Sequence, residues 1–111
     1  MKQIVLAVLF VLGITYSAHA AAGHCAELKK NAEEAVKHGK AGHTDVLKKN
    51  AEAMAEHGPS CLKEAPPEAA GPLKEALSQA MQAAKHAAAG HGDVALEHAE
   101  AALKHIQESK I

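Results

Sequence analysis

Apolar residues recur every three or four positions in four segments of the chain, which is the spacing of helices that bury one face. In the first segment, residues 25–38, charged residues fill most of the remaining positions. Gly39 and Gly42 follow and are predicted to end the helix, because glycine accepts the left-handed conformation of a helix C-terminus. The apolar positions of this first predicted helix are Cys25, Leu28, Ala32, Ala35 and Val36.

The second predicted helix begins at Thr44 or Asp45, where a side-chain oxygen can accept hydrogen bonds from free backbone N–H groups. It is expected to end at Gly58 and Pro59. All four prolines of the chain fall within residues 59–72, so this segment is predicted to be a link without a continuous helix.

Beyond the link, Pro72 is predicted to open a third helix, since its missing N–H costs nothing in the first turn. Gly90 should end that helix, and Asp93 should cap a fourth. Met54 and Met81 are interpreted as residues that fill the core. Four helices of about 13–17 residues, joined by short turns, predict an all-α fold, an up-down-up-down four-helix bundle.

The four predicted helices form two copies of one unit. Residues 42–57 read GHTDVLKKNAEAMAEH and residues 90–105 read GHGDVALEHAEAALKH, an offset of 48 residues that places Gly42 on Gly90. Each copy predicts two antiparallel helices around a Gly-His-X-Asp turn. The expected organisation is a hairpin at about residues 24–58, the link at 59–72 and a second hairpin at about 72–109.

The N-terminal segment is predicted to be a secretory signal peptide. Lys2 precedes an apolar run at residues 4–16, and Ala18, His19 and Ala20 supply a small-X-small cleavage pattern. The run is shorter than the roughly 20 apolar residues of a membrane span. Cleavage after Ala20 would leave one helical domain, residues 21–111, in the periplasm without stable membrane insertion. The alternative is an uncleaved N-terminal anchor.

Composition narrows the function of the remaining chain. Without residues 1–20 it has 11 Lys, no Arg and 13 acidic residues, and it contains no Phe, Tyr or Trp. A near-neutral chain that lacks arginine and stacking rings is a poor nucleic-acid binder. Its core must be built from Ala, Leu, Val, Ile and Met, so the buried area per residue is small and the predicted stability is modest.

Two cysteines, Cys25 and Cys61, remain in this chain. Exported proteins reach oxidising compartments, and the helix layout places both cysteines at the same end of the first hairpin, so a disulfide is predicted. Closing that loop should stabilise the fold by about 3–4 kcal/mol. The alternative is a pair of free thiols that act as ligands of soft metal ions.

Eight histidines remain after residue 20, several of them at equivalent positions of the two copies. Each predicted hairpin tip combines two histidines with one carboxylate, and further histidines follow along the helices at seven-residue spacing, on one helix face. The candidate metal ligands at the first tip are His38, His43 and Asp45; those at the second tip are His86, His91 and Asp93; the others are His24, His57, His98 and His105.

Imidazole nitrogens with one carboxylate suit divalent transition metals. Copper(II) is favoured because affinities rise toward it along the divalent series, with nickel(II), zinc(II) and cobalt(II) as alternatives. A histidine must be neutral to bind, so metal binding should weaken as the pH falls through about 6.5.

A single histidine at a helix boundary is more often a solvated polar residue than a ligand. Eight of them at repeated positions favour a metal-binding protein without catalysis, as a monomer or as a metal-bridged dimer. Two alternatives remain: a bundle cytochrome with haem held non-covalently between Met and His, and an envelope stress or interaction protein that uses histidine as a pH sensor. The missing aromatic residues disfavour haem, and no nucleophile–base pair that would indicate an enzyme is visible.

Two stretches, AEEAVKHGKAGHTD at residues 32–45 and KHAAAGHGDVALEHAEAALKH at residues 85–105, resemble the small metal-binding protein (SmbP) family. The resemblance covers most of the chain after residue 20, apart from the proline-containing link. It implies an exported four-helix bundle that binds several divalent metal ions, copper foremost, and buffers or sequesters copper in the periplasm. The positions that match the family pattern are His38, His43, His57, His86, His91, His98 and His105.

This sequence departs from the family pattern in three respects. It has fewer histidines, since Lys49 and Asn50 stand where the second copy has Glu97 and His98. It contains two cysteines, and its link between the hairpins is rich in proline.

Overall fold

The structure is a computed structural model that describes residues 19–111. Apart from its last two residues, the predicted signal peptide lies outside the described residues, so it stays a prediction. Within the described part the chain forms four helices, α1 (His19–Lys40), α2 (Thr44–Glu64), α3 (Ala70–Ala88) and α4 (Gly92–Ser109). A single 3-10 turn, Pro67–Ala69, precedes α3. The predicted all-α four-helix bundle is confirmed.

Each helix packs against the next one in the chain, and α1 also packs against α4, which closes the ring of helices. Because successive helices run in opposite directions, both Gly-His turns lie at one end of the bundle. We call this end, formed by residues 41–43 and 89–91, the turn end. The opposite end, which contains residues 65–69, is the link end. The two turns touch: a Cβ added at Gly92 would lie 2.7 Å from Oγ1 of Thr44.

The core of the described part contains only apolar side chains and one cysteine, and alanine is its commonest residue. Small side chains let the helices approach closely but bury little area each. The buried face of α3 excludes Met81, which is 63% exposed. The prediction that Met81 fills the core is therefore wrong, whereas Met54 is fully buried. The buried residues of α3 are Leu73, Ala76, Ala80, Ala83 and Ala87.

Two glycines that were predicted to end helices lie inside them instead. A Cβ at Gly58 would clash with the side chain of Leu77, so this glycine allows α3 to approach α2. A Cβ at Gly39 would meet Leu47 at 2.7 Å and Leu96 at 2.8 Å. Both positions serve close packing between helices rather than termination.

The first hairpin consequently extends beyond its predicted end at Gly58 and Pro59, because α2 continues to Glu64 with Pro59 inside it. An interior proline costs about 3 kcal/mol or more. The segment beyond it contains Cys61, which is fully buried and bonded to Cys25 across the hairpin. A disulfide of this kind stabilises the whole fold by about 3–4 kcal/mol, because it restricts the unfolded chain.

Among residues 19–111, none of the helices combines the length and the apolar character that crossing a bilayer requires.

Candidate metal-binding sites

The first turn is a helix C-terminus that places two imidazoles side by side. Gly42 adopts a positive φ of 78°. The backbone N–H of His43 donates to the carbonyl of His38 at 2.8 Å, and the N–H of Gly42 donates to that of Gly39 at 3.1 Å. This pair of hydrogen bonds defines the Schellman motif. In that motif the two residues joined by the wider hydrogen-bonded ring, here His38 and His43, usually make a side-chain contact. Here both residues of that contact are histidines.

The second turn repeats this geometry bond for bond. Gly90 has a φ of 80°. The N–H of His91 donates to the carbonyl of His86 at 2.9 Å, and the N–H of Gly90 donates to that of Ala87 at 3.1 Å. The local signature of both turns is His-X-X-X-Gly-His, which sets the two rings next to each other before any tertiary contact forms.

These turns correct the predicted helix caps. His43 and His91, not Asp45 and Asp93, precede the first residues of α2 and α4, and no side chain caps either helix N-terminus. Asp45 and Asp93 lie instead in the first turn, where a carboxylate interacts favourably with the helix dipole. The backbone hydrogen bonds of each Schellman turn hold His43 and His91 in place, so α2 and α4 each begin at the residue that follows.

In the first turn, Nδ1 of His38 lies 3.2 Å from Nδ1 of His43. On its other side, Nε2 of His38 lies 3.3 Å from a carboxylate oxygen of Glu34, one helical turn earlier. That carboxylate favours the proton on Nε2, so the lone pair of Nδ1 points toward His43. Metal-binding histidines commonly donate their other ring N–H to such a carboxylate.

The second turn gathers three rings. The ring centre of His86 lies 5.9 Å from that of His91 and 5.2 Å from that of His98 on α4, with the planes of His86 and His98 nearly parallel at 7°. Nδ1–H of His98 donates to Oε1 of Gln79 on α3 at 2.7 Å. This hydrogen bond fixes the tautomer of His98 and leaves its Nε2 with a free lone pair.

A third histidine pair lies near the link end and joins α1 to α2. Nδ1 of His24 is 3.0 Å from Nδ1 of His57, and both side chains are half-buried. The disulfide between Cys25 and Cys61 is adjacent in sequence, with the two sulfurs 2.12 Å and the two Cα atoms 4.6 Å apart. The disulfide therefore holds the two helices together where this pair forms.

His105 contacts a carboxylate rather than a second imidazole. Its Nδ1–H donates to Oε2 of Glu108 at 3.2 Å, within the last turns of α4. Like His98, it is half-buried.

The predicted grouping of each histidine pair with an aspartate is not assembled in the structure. Asp45 shares with His43 a shallow depression lined by residues 42–46. Across residues 23–111, whose side chains are described, no three His, Cys, Asp or Glu side chains converge in a geometry that could hold a metal ion. The basic unit is thus the imidazole pair, with or without a supporting carboxylate.

The pairs nevertheless have the spacing of two ligands on one metal ion. Nitrogen ligands bind at about 2.0–2.1 Å, and two of them at angles of 90–109° lie about 2.8–3.4 Å apart. The observed Nδ1–Nδ1 distances, 3.0 Å for His24–His57 and 3.2 Å for His38–His43, fall within that interval. The same distances are those of a hydrogen bond between two rings, so both rings would have to turn their lone pairs toward a shared ion.

Comparison with known proteins agrees with this chemistry. The sequence profile of a family described as small metal-binding protein matches residues 1–109. The chain belongs to the small metal-binding protein family. No curated protein matches it.

Membership of this family makes metal ions the protein's ligands, and the structure adds residues that the sequence analysis did not single out. Glu34, Gln79 and Glu108 orient His38, His98 and His105. Glu34 and Glu108 are detectable in the sequence, since they stand four and three residues from their histidines on a helix face. Gln79 gives no such signal, because it reaches His98 from another helix.

Proposed function

We propose that this protein buffers divalent transition metals, copper(II) foremost, by holding them between paired histidines on the surface of its bundle, and that it does so in the periplasm. Nickel(II), zinc(II) and cobalt(II) are the alternative cargoes. The observation that carries the proposal is the facing pair of Nδ1 atoms, found both at the first turn and near the link end, at distances of 3.2 and 3.0 Å.

Copper(II) is preferred because the candidate ligands are dominated by imidazole nitrogen, for which affinity is highest with this ion among the first-row divalent metals. Two or three protein ligands leave coordination positions open to water. Such open sites release metal more readily than a closed four-ligand site, which suits a buffer better than a structural role.

The pairs suggest how metal replaces a proton. In the metal-free protein one ring of a pair donates an N–H to the other, and this holds the rings together. Binding requires both Nδ1 atoms to be deprotonated, so the shared proton must leave or move to Nε2. At the first turn, the carboxylate of Glu34 beside Nε2 of His38 favours that tautomer in advance.

At the second turn the arrangement supports a different mode of binding. Because Nδ1 of His98 is engaged by Gln79, this ring offers Nε2 to the cluster that it forms with His86 and His91. The three rings have to reorient to share one ion, since their nitrogen atoms do not yet converge. We expect slower metal binding here than at the first turn.

The test is native mass spectrometry of the purified protein titrated with copper(II) at about pH 7.5 and again at about pH 5, below the usual titration range of imidazole. We expect discrete copper adducts at the higher pH that disappear at the lower pH. A variant with His43→Asn and His91→Asn should lose adducts yet stay folded, because asparagine suits the position before a helix. A full set of adducts in this variant, or adducts that persist at the lower pH, would refute histidine-pair coordination.

A further inference from the structure

Two cysteines and two histidines form one connected group near the link end. Sγ of Cys25 is bonded to Sγ of Cys61, and His24, the neighbour of Cys25, contacts His57 at 3.0 Å. His57 and Cys61 are four residues apart in α2, the spacing that puts two metal ligands on one helix face. Each helix thus contributes one cysteine and one histidine, although in the disulfide-bonded form no three such side chains among residues 23–111 converge in a geometry that could hold a metal ion.

This group is specific to the first hairpin. The residues at the equivalent positions of the second hairpin, 48 further along, are Pro72, Leu73, His105 and Ser109. Only the histidine recurs there. The repeat therefore does not account for this group, and the disulfide has no counterpart in the second hairpin.

We propose that reduction of the Cys25–Cys61 disulfide turns this group into a Cys2His2 site that binds zinc(II). Two thiolates and two imidazoles are a ligand set found in structural zinc sites, where the metal is four-coordinate and tetrahedral. The proposal goes beyond the proposed buffering function, because the oxidised protein can hold copper(II) on its histidine pairs whether or not the reduced protein takes zinc.

Reduction frees the two sulfurs to adopt the spacing of zinc ligands. Two thiolates bound to zinc at about 2.3 Å in tetrahedral geometry lie about 3.8 Å apart. Once the S–S bond is cut, the two sulfurs can separate to that distance, while the Cα atoms, 4.6 Å apart, stay anchored by the helices on either side. The imidazole pair is already near its zinc-bound spacing at 3.0 Å.

The redox step requires a dithiol reductant, and its balance is as follows. A thiolate of the reductant attacks Sγ of Cys25, which is partly exposed, and the S–S bond breaks to release Cys61, which is buried, as a thiolate. The second thiol of the reductant then displaces Cys25 and forms the reductant's own disulfide. Zinc(II) binds the two thiolates, and the two protons of the original dithiol are released to solvent.

Oxidised and reduced forms would then differ in the metal they prefer. With the disulfide closed, His24 and His57 present nitrogen alone and suit copper(II). With the disulfide open, the added thiolates favour zinc(II). The site would thereby couple metal choice to the thiol redox state of its surroundings.

The experiment titrates the oxidised and the dithiothreitol-reduced protein with cobalt(II), followed by zinc(II), without oxygen. Cobalt(II) is a spectroscopic substitute for zinc, and its bonds to thiolate give charge-transfer absorption that imidazole and carboxylate do not give. We expect the reduced protein to bind one equivalent with this absorption, zinc to displace it, and the oxidised protein to show none.

Variants separate the four-ligand site from binding by thiolates alone. His24→Ala and His57→Ala should each lower the zinc affinity of the reduced protein by about tenfold or more. Ser109→Ala is the matched control, since Ser109 is the repeat equivalent of Cys61 and is not a candidate ligand, and it should leave that affinity unchanged.

Three results would overturn the inference. They are the absence of thiolate–cobalt absorption in a reduced protein that circular dichroism shows to be helical, an unchanged zinc affinity in both His24→Ala and His57→Ala, and a reduced protein that unfolds and is not refolded by zinc. Copper(II) adducts of the oxidised protein, measured on the same preparation, report separately on the proposed buffering function.

Discussion

The two hairpins share a turn but differ in what surrounds it. Both place a histidine pair in a Schellman motif with a glycine at φ near 80°. In the first hairpin the pair stands alone with Glu34, because Asn50 occupies the position of His98 and bonds instead to the carbonyl of Val46. In the second hairpin the ring of His98 adds a third imidazole. The backbone repeat thus fixes the pair, and single side chains decide how many ligands join it.

At the link end the same repeat gives the opposite result. His57 of the first hairpin faces His24, whereas its equivalent His105 has Pro72 at the corresponding position and bonds to Glu108. The first hairpin therefore has two separate pairs, and the second has one cluster of three rings and one single histidine. A duplicated scaffold has produced two different arrangements of the same ligand.

The largest effect is expected from removing the disulfide, which only the first hairpin has. We expect the double substitution Cys25→Ala and Cys61→Ala to lower the free energy of unfolding by about 3–4 kcal/mol, from a loop whose ends are 36 residues apart. Denaturant unfolding followed by circular dichroism measures this. A loss below about 1 kcal/mol would show that helix packing alone holds α2 beyond Pro59.

The next effect concerns a position at which the two hairpins carry side chains of very different size. Gly58 stands at the repeat position of Ile106, which is almost fully buried. At Gly58, the side chain of Leu77 occupies the space that a larger residue would need. Gly58→Ala gains about 1 kcal/mol of helix propensity but forces the side chain of Leu77 to move, so it should be about 1–2 kcal/mol less stable than Gly71→Ala. Gly71→Ala is the control, since no atom lies within 4 Å of its added Cβ. Equal melting temperatures of the two variants would contradict the close approach of α2 and α3.

A swap of one residue sharpens the comparison of the two turns. Asn50→His should give the first turn a third imidazole and raise its metal affinity by about tenfold, or about 1.4 kcal/mol. Asn31 stands where the second hairpin has Gln79, so a hydrogen-bond acceptor is available there. The reverse change, His98→Asn, should weaken the second turn by a similar factor. Isothermal titration with zinc(II) measures both, and an unchanged affinity in both variants would mean that the third ring does not bind.

The smallest effect should be the same in both hairpins. Gly42→Ala and Gly90→Ala place a side chain at a φ of 78° and 80°, which costs about 1–2 kcal/mol at each position. Each variant should also weaken metal binding at its own turn and leave the other turn unchanged. Thermal unfolding and metal titration of the two variants test this equality. A clear difference in stability would show that the turns are not equivalent.

The fold was predictable from the sequence, because apolar spacing and the repeat specify four helices and their order. The pattern does not distinguish a glycine that ends a helix from one that admits a neighbouring side chain. Gly42 and Gly58 are both followed by polar or turn-forming residues, yet only Gly42 has a positive φ. Pro59 misled as well, since the segment of α2 beyond it contains the buried, disulfide-bonded Cys61, and the pattern does not reveal such tertiary contacts.

The candidate sites also combine contacts that local spacing predicts with contacts that it does not. The pairs at the turns follow from local spacing, because the Schellman motif sets both histidines by itself. The contacts of His24 with His57 and of His98 with Gln79 join different helices, so they depend on how the helices are rotated and stacked. Sequence alone named these histidines as candidate ligands but could not assign their partners.

The most direct test of the account is nuclear magnetic resonance of the imidazole nitrogens during titration with zinc(II), which is diamagnetic. The central claim is that the two rings of a pair bind one ion together. It predicts that Nδ1 of His38 and Nδ1 of His43 shift in parallel and saturate at the same zinc concentration, and that His98 binds through Nε2. Independent saturation of His38 and His43, or coordination of both through Nε2, would contradict it.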